Sequence, residues 1–138
     1  VIGKISETNK NILNSFKNTI ALGTVDDINS SASTGHIGIC PVRLGAGVQN
    51  KILEYMALGL PCITSSIGYE GINAKSGSEI FVADTVEQYK NVLREIIYDY
   101  NRYTEVAENA RSFVENNFSW ESKVANLMNT LDEKLYEQ

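Results

Sequence analysis

The chain has 138 residues, 43% hydrophobic and 21% charged, enough apolar side chains for one domain to bury a core and too many for a disordered tail. Twelve basic against seventeen acidic residues leave a formal charge of −5, which argues against non-specific nucleic-acid binding, because that needs clustered Lys and Arg to displace counterions. No apolar run approaches the roughly 18–20 residues of a membrane span.

Taken in chain order, Val1-Ile2-Gly3 reads as the end of a strand, with no basic segment and apolar run to suggest a secretory signal. Ser6 to Phe16 carries Ile12, Leu13 and Phe16 at helical spacing, with Ser6 or Thr8 as cap. Thr19 to Gly23 is a short β-rich run, and Asp26-Asp27 opens a helical turn toward Ala32. His36 to Val42 is a nearly continuous apolar run, the pattern of a parallel strand covered on both faces. The glycine loop Arg43-Leu44-Gly45-Ala46-Gly47 follows. A helix from Val48 to Leu58 has Ile52, Leu53, Met56 and Ala57 on one face and stops at Gly59. Pro61 to Ser65 is a second buried strand, Gly68 to Gly71 a loop, and Glu79 to Ala83 a third strand. Thr85-Val86-Glu87-Gln88 has the form of a capping box opening a helix on Tyr89, Val92, Leu93, Ile96 and Ile97. Another helix is expected from Thr104 to Val114 on Val106, Ala107, Ala110 and Phe113. Ser119 caps the last, with a stripe of Val124, Leu127, Met128, Leu131 and Leu135. Strands alternating with helices predict an α/β fold with a parallel, doubly wound sheet. Cys40 and Cys62, each beside a proline in apolar surroundings, read as buried free thiols of a reducing compartment. With a single histidine, a zinc cluster is not expected either.

The stretch from Ile39 to Thr64 is where chemistry is most legible. A helix N-terminus presents unpaired N–H groups and about half a positive charge, which suits phosphate. Gly45 and Gly47 allow close backbone approach. Lys51 adds a point charge one turn into the helix, and Glu54 lies on roughly the same face, placed to accept from a ribose diol. A tight turn followed by a Lys–Glu surface pair would leave the same pattern. Asn50 stands where a dinucleotide fingerprint has its third glycine, and no Gly-Lys-Ser/Thr marks a Walker loop.

The full run Cys40-Pro41-x-x-x-Gly45-x-Gly47-x-x-Asn50-Lys51-x-x-Glu54-Tyr55-Met56-Ala57-x-Gly59-x-Pro61 resembles the donor-binding segment of group 1 glycosyltransferases, GT-B enzymes that transfer sugars from nucleotide sugars. Gly23-x-Val25-x-Asp27, Gly68-x-Glu70-Gly71 and Phe118-Ser119-Trp120 follow that family's order along the whole chain. The resemblance implies a Rossmann-like parallel sheet flanked by helices, the C-terminal part of a GT-B enzyme, with residues 1–138 forming a single nucleotide-sugar-binding domain. It implies that Gly45, Ala46, Gly47, Val48 and Gln49 approach the donor diphosphate and that Glu54 holds the ribose. Lys51 supports the phosphates by inference from its position. Gly68, Tyr69, Glu70 and Gly71 match a loop on the sugar side. No cofactor and no metal are implied in this domain. Ala46 departs from the family, where many members carry a glutamate contacting the donor sugar, and no residue stands out as nucleophile or general base. His36 begins a strand, at the end opposite the ligand crevice, and is read as a structural or exposed histidine.

The resemblance covers only the later part of the donor domain. The expected reading is a fragment of a larger retaining enzyme, lacking the N-terminal acceptor domain and the first strand of the donor sheet, and inactive in isolation. The sheet is then expected to show a gap and the last helix an open outer side, either of which a dimer would cover. The implied setting is surface polysaccharide or glycolipid synthesis in the cytoplasm, at the inner face of the membrane, with membrane contact made outside this domain and a nucleotide sugar as the small-molecule partner. Competing readings are a non-catalytic nucleotide or interaction module of the same fold and a GT-B nucleotide-sugar epimerase, the latter disfavoured by the Phe-Ser-Trp segment. A receiver domain lacks its aspartate at the end of a central strand.

Overall fold

Ser6 and Asp27 start the first two helices by the same means, a side-chain oxygen taking up amides that a helix leaves unpaired. Ser6 Oγ accepts from the Asn9 amide at 3.2 Å, opening α1 (Glu7–Ser15). Asp27 accepts from Asn29 and Ser30 at 2.9 and 3.2 Å, opening α2 (Ile28–Ala32). The structure, a computed structural model, describes residues 1–136, the side chains of 126, 135 and 136 excepted. The chain packs as two compact units, Val1–Thr34 and Gly35–Gln138.

In the first unit the expected strands at Val1–Gly3 and Thr19–Gly23 reduce to one parallel bridge, Ile2 to Gly23. It is held by Gly3 N–H to Gly23 O at 2.8 Å and Leu22 N–H to Val1 O at 2.9 Å. Both glycines take positive φ, 136° and 81°, so the backbone turns out of the extended form before a ladder can grow.

The second unit holds a parallel three-stranded sheet of β1 (Gly38–Cys40), β2 (Cys62–Thr64) and β3 (Phe81–Val82), in that order. Gly38 faces Cys62, and Ile63 faces Phe81. The strands are shorter than their apolar runs because Pro41 follows β1 and Pro61 precedes β2, and proline has no N–H for a ladder. α3 (Asn50–Ala57) packs on β1 and β2, and α6 (Tyr100–Phe118) packs on α3. Cys40, Cys62, Ile52, Met56 and Ala110 form that core. On the opposite face Ile63, Phe81 and Ala83 pack with Val106 and with Ile96 of α5 (Val86–Tyr98). Two helix layers around a parallel sheet bear out the expected α/β class.

Four local expectations need correction. β1 is not covered on both faces: Ile39 stays 46% exposed, because the α5-side core reaches Ile63 but stops short of its neighbour, and β1 pairs with β2 alone among the described residues. The 68–71 loop begins inside a single helical turn, α4 (Ser66–Tyr69), which Ser65 Oγ caps through Gly68 N–H at 3.2 Å. Ile97, placed on the apolar face of α5, is 65% exposed. The helix expected from Thr104 starts four residues earlier, because Asp99 both ends α5 and caps α6, accepting from Arg102 N–H at 3.1 Å; it runs on to Phe118. The capping box of α5 is present, Gln88 accepting from Thr85 N–H at 3.0 Å and Thr85 from Gln88 N–H at 3.3 Å. Ser119 opens α7 (Trp120–Tyr136), accepting from Ser122 N–H at 3.1 Å. The stripe of α7 is open: Trp120 is 85% exposed, and Val124, Leu127, Met128 and Leu131 are exposed too. The side chain of Leu135 lies outside the described residues. No helix among the described residues is long and apolar enough to cross a membrane.

Candidate functional site

Side chains at the ends of the strands anchor the loops beyond them. Thr64 Oγ1 donates to Cys40 O at 2.9 Å, and Ser65 Oγ donates to Val42 O. Both hydroxyls are buried, so the bonds also meet the need of buried polar groups for partners. The turn after β1 is thereby fixed to the end of β2. Gly68 completes the joint, since a Cβ there would lie 2.2 Å from Thr64 Oγ1, 3.2 Å from Val42 Cγ2 and 3.3 Å from Ile52 Cδ1. Only glycine lets α4 sit this close to β2 and α3.

From this anchored turn the chain runs out into the glycine loop. Gly47 takes φ 74°. Residues 43–48 are exposed, and from Arg43 to Lys51 no backbone amide donates to an acceptor among the described residues. Gln49 occupies the N-cap of α3 without capping it; its amide donates instead to Gly47 O at 3.3 Å. The Asn50 and Lys51 amides at the start of α3 therefore remain open to an anion, while Ile52 N–H donates to Gln49 O at 2.9 Å; the positive end of the helix lies at the same place.

Lys51 is exposed and Glu54 half-buried on the following turn. They do not form the surface pair that their spacing allows, and neither has an ionic or hydrogen-bonding partner among the described residues. Both bear on Cys40: the lysine charge favours its thiolate and the glutamate charge opposes it. The larger influence is the neighbouring thiol. A hydrogen bond with Cys62 holds Cys40 below the ordinary thiol value, while the same bond and burial push Cys62 well above it. Both cysteines are free and buried, as expected.

The fold brings the two predicted loops together. Gly71, at φ 77°, lies against Val48, whose Cγ2 is 3.2 Å from the position of a Cβ on Gly71. Gly45 is backed by Gln49 and Val42. Ala46 and Glu70 are exposed. Tyr69 is committed elsewhere, its hydroxyl donating to Ala74 O at 2.6 Å. His36 is exposed, two residues ahead of β1 and thus at the opposite end of the strand from the glycine loop.

Sequence reasoning missed a second feature at the same strand ends. Arg43, Ser65, Ile67, Asp84, Val86 and Tyr89 line a cavity of about 440 Å³. Asp84 accepts from Ser66 N–H at 2.8 Å and from Ser66 Oγ at 2.5 Å, and these bonds hold its carboxyl below the usual carboxylate range. Tyr89 Oη is buried and has no hydrogen-bond partner among the described residues. Burial, with the nearby Asp84 charge behind it, pushes its phenol up. The sequence offers little to find it by: Asp84 directly precedes the capping box, and nothing local links it to Arg43, Ser65 or Tyr89.

The profile of the group 1 glycosyl transferases matches residues 1–99, and the chain belongs to that family. No curated protein matches it. Among solved structures, the chain is similar to Anabaena Alr3699/HepE, crystallised in complex with UDP, at 16% identity and a TM-score of 0.75, over 99% of this chain and 40% of that one. It is also similar to sucrose-phosphate synthase from Thermosynechococcus elongatus, at 17% identity and a TM-score of 0.67, over 99% of this chain and 38% of that one. At such identities the likeness is one of fold, and the fold is that of the GT-B glycosyltransferases. The chain spans about two fifths of the length of these structures.

Proposed function

We propose that these 138 residues form the donor-binding domain of a retaining glycosyltransferase that takes a hexosyl group from a nucleoside-diphosphate sugar. The observation that carries the reading is the open row of amides from Arg43 to Lys51, ending at an uncapped helix N-terminus. In this reading the backbone of Gly45, Ala46, Gly47, Val48 and Gln49 holds the diphosphate. Lys51 adds a charge beside it, and the unpartnered carboxylate of Glu54 accepts from the ribose diol. The diphosphate is the leaving group of the transfer, so these dipoles and the lysine would stabilise charge that grows in the transition state. The sugar side is given to Gly68, Tyr69, Glu70 and Gly71, with the backbone of this loop in play since Tyr69 is already bonded. Family membership and the UDP complex of the similar Anabaena protein support a nucleoside-diphosphate ligand.

The acceptor is bound by a further domain outside these residues, without which the chain turns over no substrate, and the acceptor is a growing surface polysaccharide or glycolipid at the inner face of the membrane. No metal is required here, the cationic work falling to Lys51 and the helix. One observation favours a second reading, a nucleotide-binding module without transferase activity: Ala46 stands where many relatives of this family carry the sugar-contacting acid. Titration calorimetry with UDP, and with UDP-glucose added to the chain joined to its acceptor domain, separates the two. Nucleotide binding with sugar release supports the transferase, binding without turnover supports the module, and no nucleotide binding in a folded sample refutes both.

A further inference from the structure

We propose that the open face of α7 pairs with the same helix of a second copy of this chain, the two helices running parallel. Trp120, Val124, Leu127 and Leu131 follow one another at steps of four, three and four residues, the spacing of a coiled-coil seam, with Met128 beside them. Trp120 is 85% exposed and the other four are 47–59% exposed, while α7 packs within the chain against α6. Apolar side chains gathered on one stripe of a helix mark a binding face, unlike the scattered exposure of an ordinary surface.

The charges beside the stripe select the occupant. At about 100° per residue, Glu121 and Asp132 border it on one side, Lys123 and Lys134 on the other. All four are exposed, and none forms an ion pair among the described residues. Lys123 has the Phe118 ring, its Nζ 4.9 Å from the centroid. A two-fold axis along two parallel helices sets the acidic flank of each copy against the basic flank of the other. Lys123 then faces the partner's Glu121 and Lys134 the partner's Asp132, each pair formed twice. Antiparallel copies would bring like flanks together, acid on acid and lysine on lysine, so the charge pattern selects the parallel pair. It also disfavours a lipid surface. Glu121, Asp132 and Glu133 outnumber Lys123 and Lys134 along α7, which leaves no excess of positive charge for anionic headgroups. From Trp120 to Leu131 the seam runs for about three turns, a small interface and hence a weak dimer.

Sedimentation velocity of the full chain, from about 10 μM to about 1 mM, tests the proposal over the range of weak association. The expected result is monomer at the low end and dimer toward the high end. Leu127→Glu, which sets a charge in the seam, should weaken dimerisation by at least about tenfold and leave Tm unchanged, because the side chain it replaces is exposed. Lys123→Glu sets acid against acid and should weaken dimerisation about three- to tenfold. Adding Glu121→Lys to that variant exchanges the two flanks and should restore it; since the contact with Phe118 is lost in both, the recovery reports the pairing between copies. The proposal is overturned if the chain is monomeric at about 1 mM, or if Leu127→Glu dimerises as well as the parent. It is also overturned if Lys123→Glu leaves dimerisation unchanged or strengthens it, the latter being the mark of an antiparallel pair. A chain joined to its acceptor domain that stays monomeric over the same range would overturn it too, by placing that domain over the stripe.

Discussion

Gly68 is the residue on which the joint between the two loops turns, and Gly68→Ala tests the geometry there. The added Cβ would lie 2.2 Å from Thr64 Oγ1, a distance no pair of atoms sustains, and 3.2–3.3 Å from Val42 and Ile52. The least costly escape is rotation of Thr64, which breaks its bond to Cys40 O and leaves a fully buried hydroxyl unpaired, at about 1–3 kcal/mol. Crowding against Val42 and Ile52 adds about 1–3 kcal/mol, while alanine returns about 1 kcal/mol of helix propensity in α4. The net loss is about 1–5 kcal/mol, or roughly 4–20 °C in Tm at about 4 °C per kcal/mol for a chain of this size. Because the damage passes through one hydroxyl, Thr64→Ala should relieve it. The double variant should lose at least about 1 kcal/mol less than the sum of the single losses, read by urea unfolding of all four proteins. Single losses that simply add, or a Gly68→Ala Tm within about 2 °C of the parent, would refute the packing described.

Glu54→Ala should weaken nucleotide binding by about 1.5–3 kcal/mol, some ten- to hundredfold by calorimetry, with little change in Tm, because its carboxylate has no partner in the protein to lose. Gly47→Ala places a Cβ at φ 74° and should cost about 1–2 kcal/mol in the unfolding free energy while leaving nothing to clash with; a neutral result would mean the loop is not held in that conformation. The folded pKa of Asp84 is depressed, so its contribution to stability is present above the ordinary carboxylate value of 3.8 and is lost as pH falls through the lower folded value. The stability difference between parent and Asp84→Asn should therefore be flat at neutral pH and shrink below about pH 4; a difference that grows on acidification contradicts the sign. Cys40 and Cys62 should resist a thiol reagent in the folded chain and react together on unfolding, both being buried; a fast-reacting thiol in the native protein would contradict that burial.

Most of what the sequence made legible follows local rules. Thr85 was readable as a cap, Ser6 as one of two candidates with Thr8, and Asp26-Asp27 as a helix start, because capping needs only a side chain of the right length next to a helical pattern. Gly47 and Gly71 were readable because positive φ selects glycine. The glycine loop and α3 were legible for the same reason, the family motif extending across one continuous stretch. What was hidden depends on partners far along the chain. Ile39 belongs to an apolar run, and nothing in its neighbours tells that the core on that face takes in Ile37 and Ile63 but leaves Ile39 uncovered. Asp99 serves two helices at once, and so the spacing of Val106, Ala107 and Ala110 marked a face without marking where the helix starts. The cavity was invisible because Arg43, Ser65, Asp84 and Tyr89 come from four segments that only the parallel sheet assembles. Lys51 and Glu54 show the reverse case: a spacing that allows an ion pair, and a structure that leaves both groups unpaired.

The central claim is that the amides from Arg43 to Lys51, with Glu54 behind them, receive a nucleoside diphosphate. An amide-resolved NMR titration with UDP, GDP and ADP, on the parent and on Glu54→Ala, tests it most directly. The account predicts that one of the three moves the signals of Gly45 to Lys51, and that the variant needs about ten to a hundred times more ligand for the same change. Unmoved loop signals at saturating ligand in a folded sample, or equal response in the variant, would contradict it.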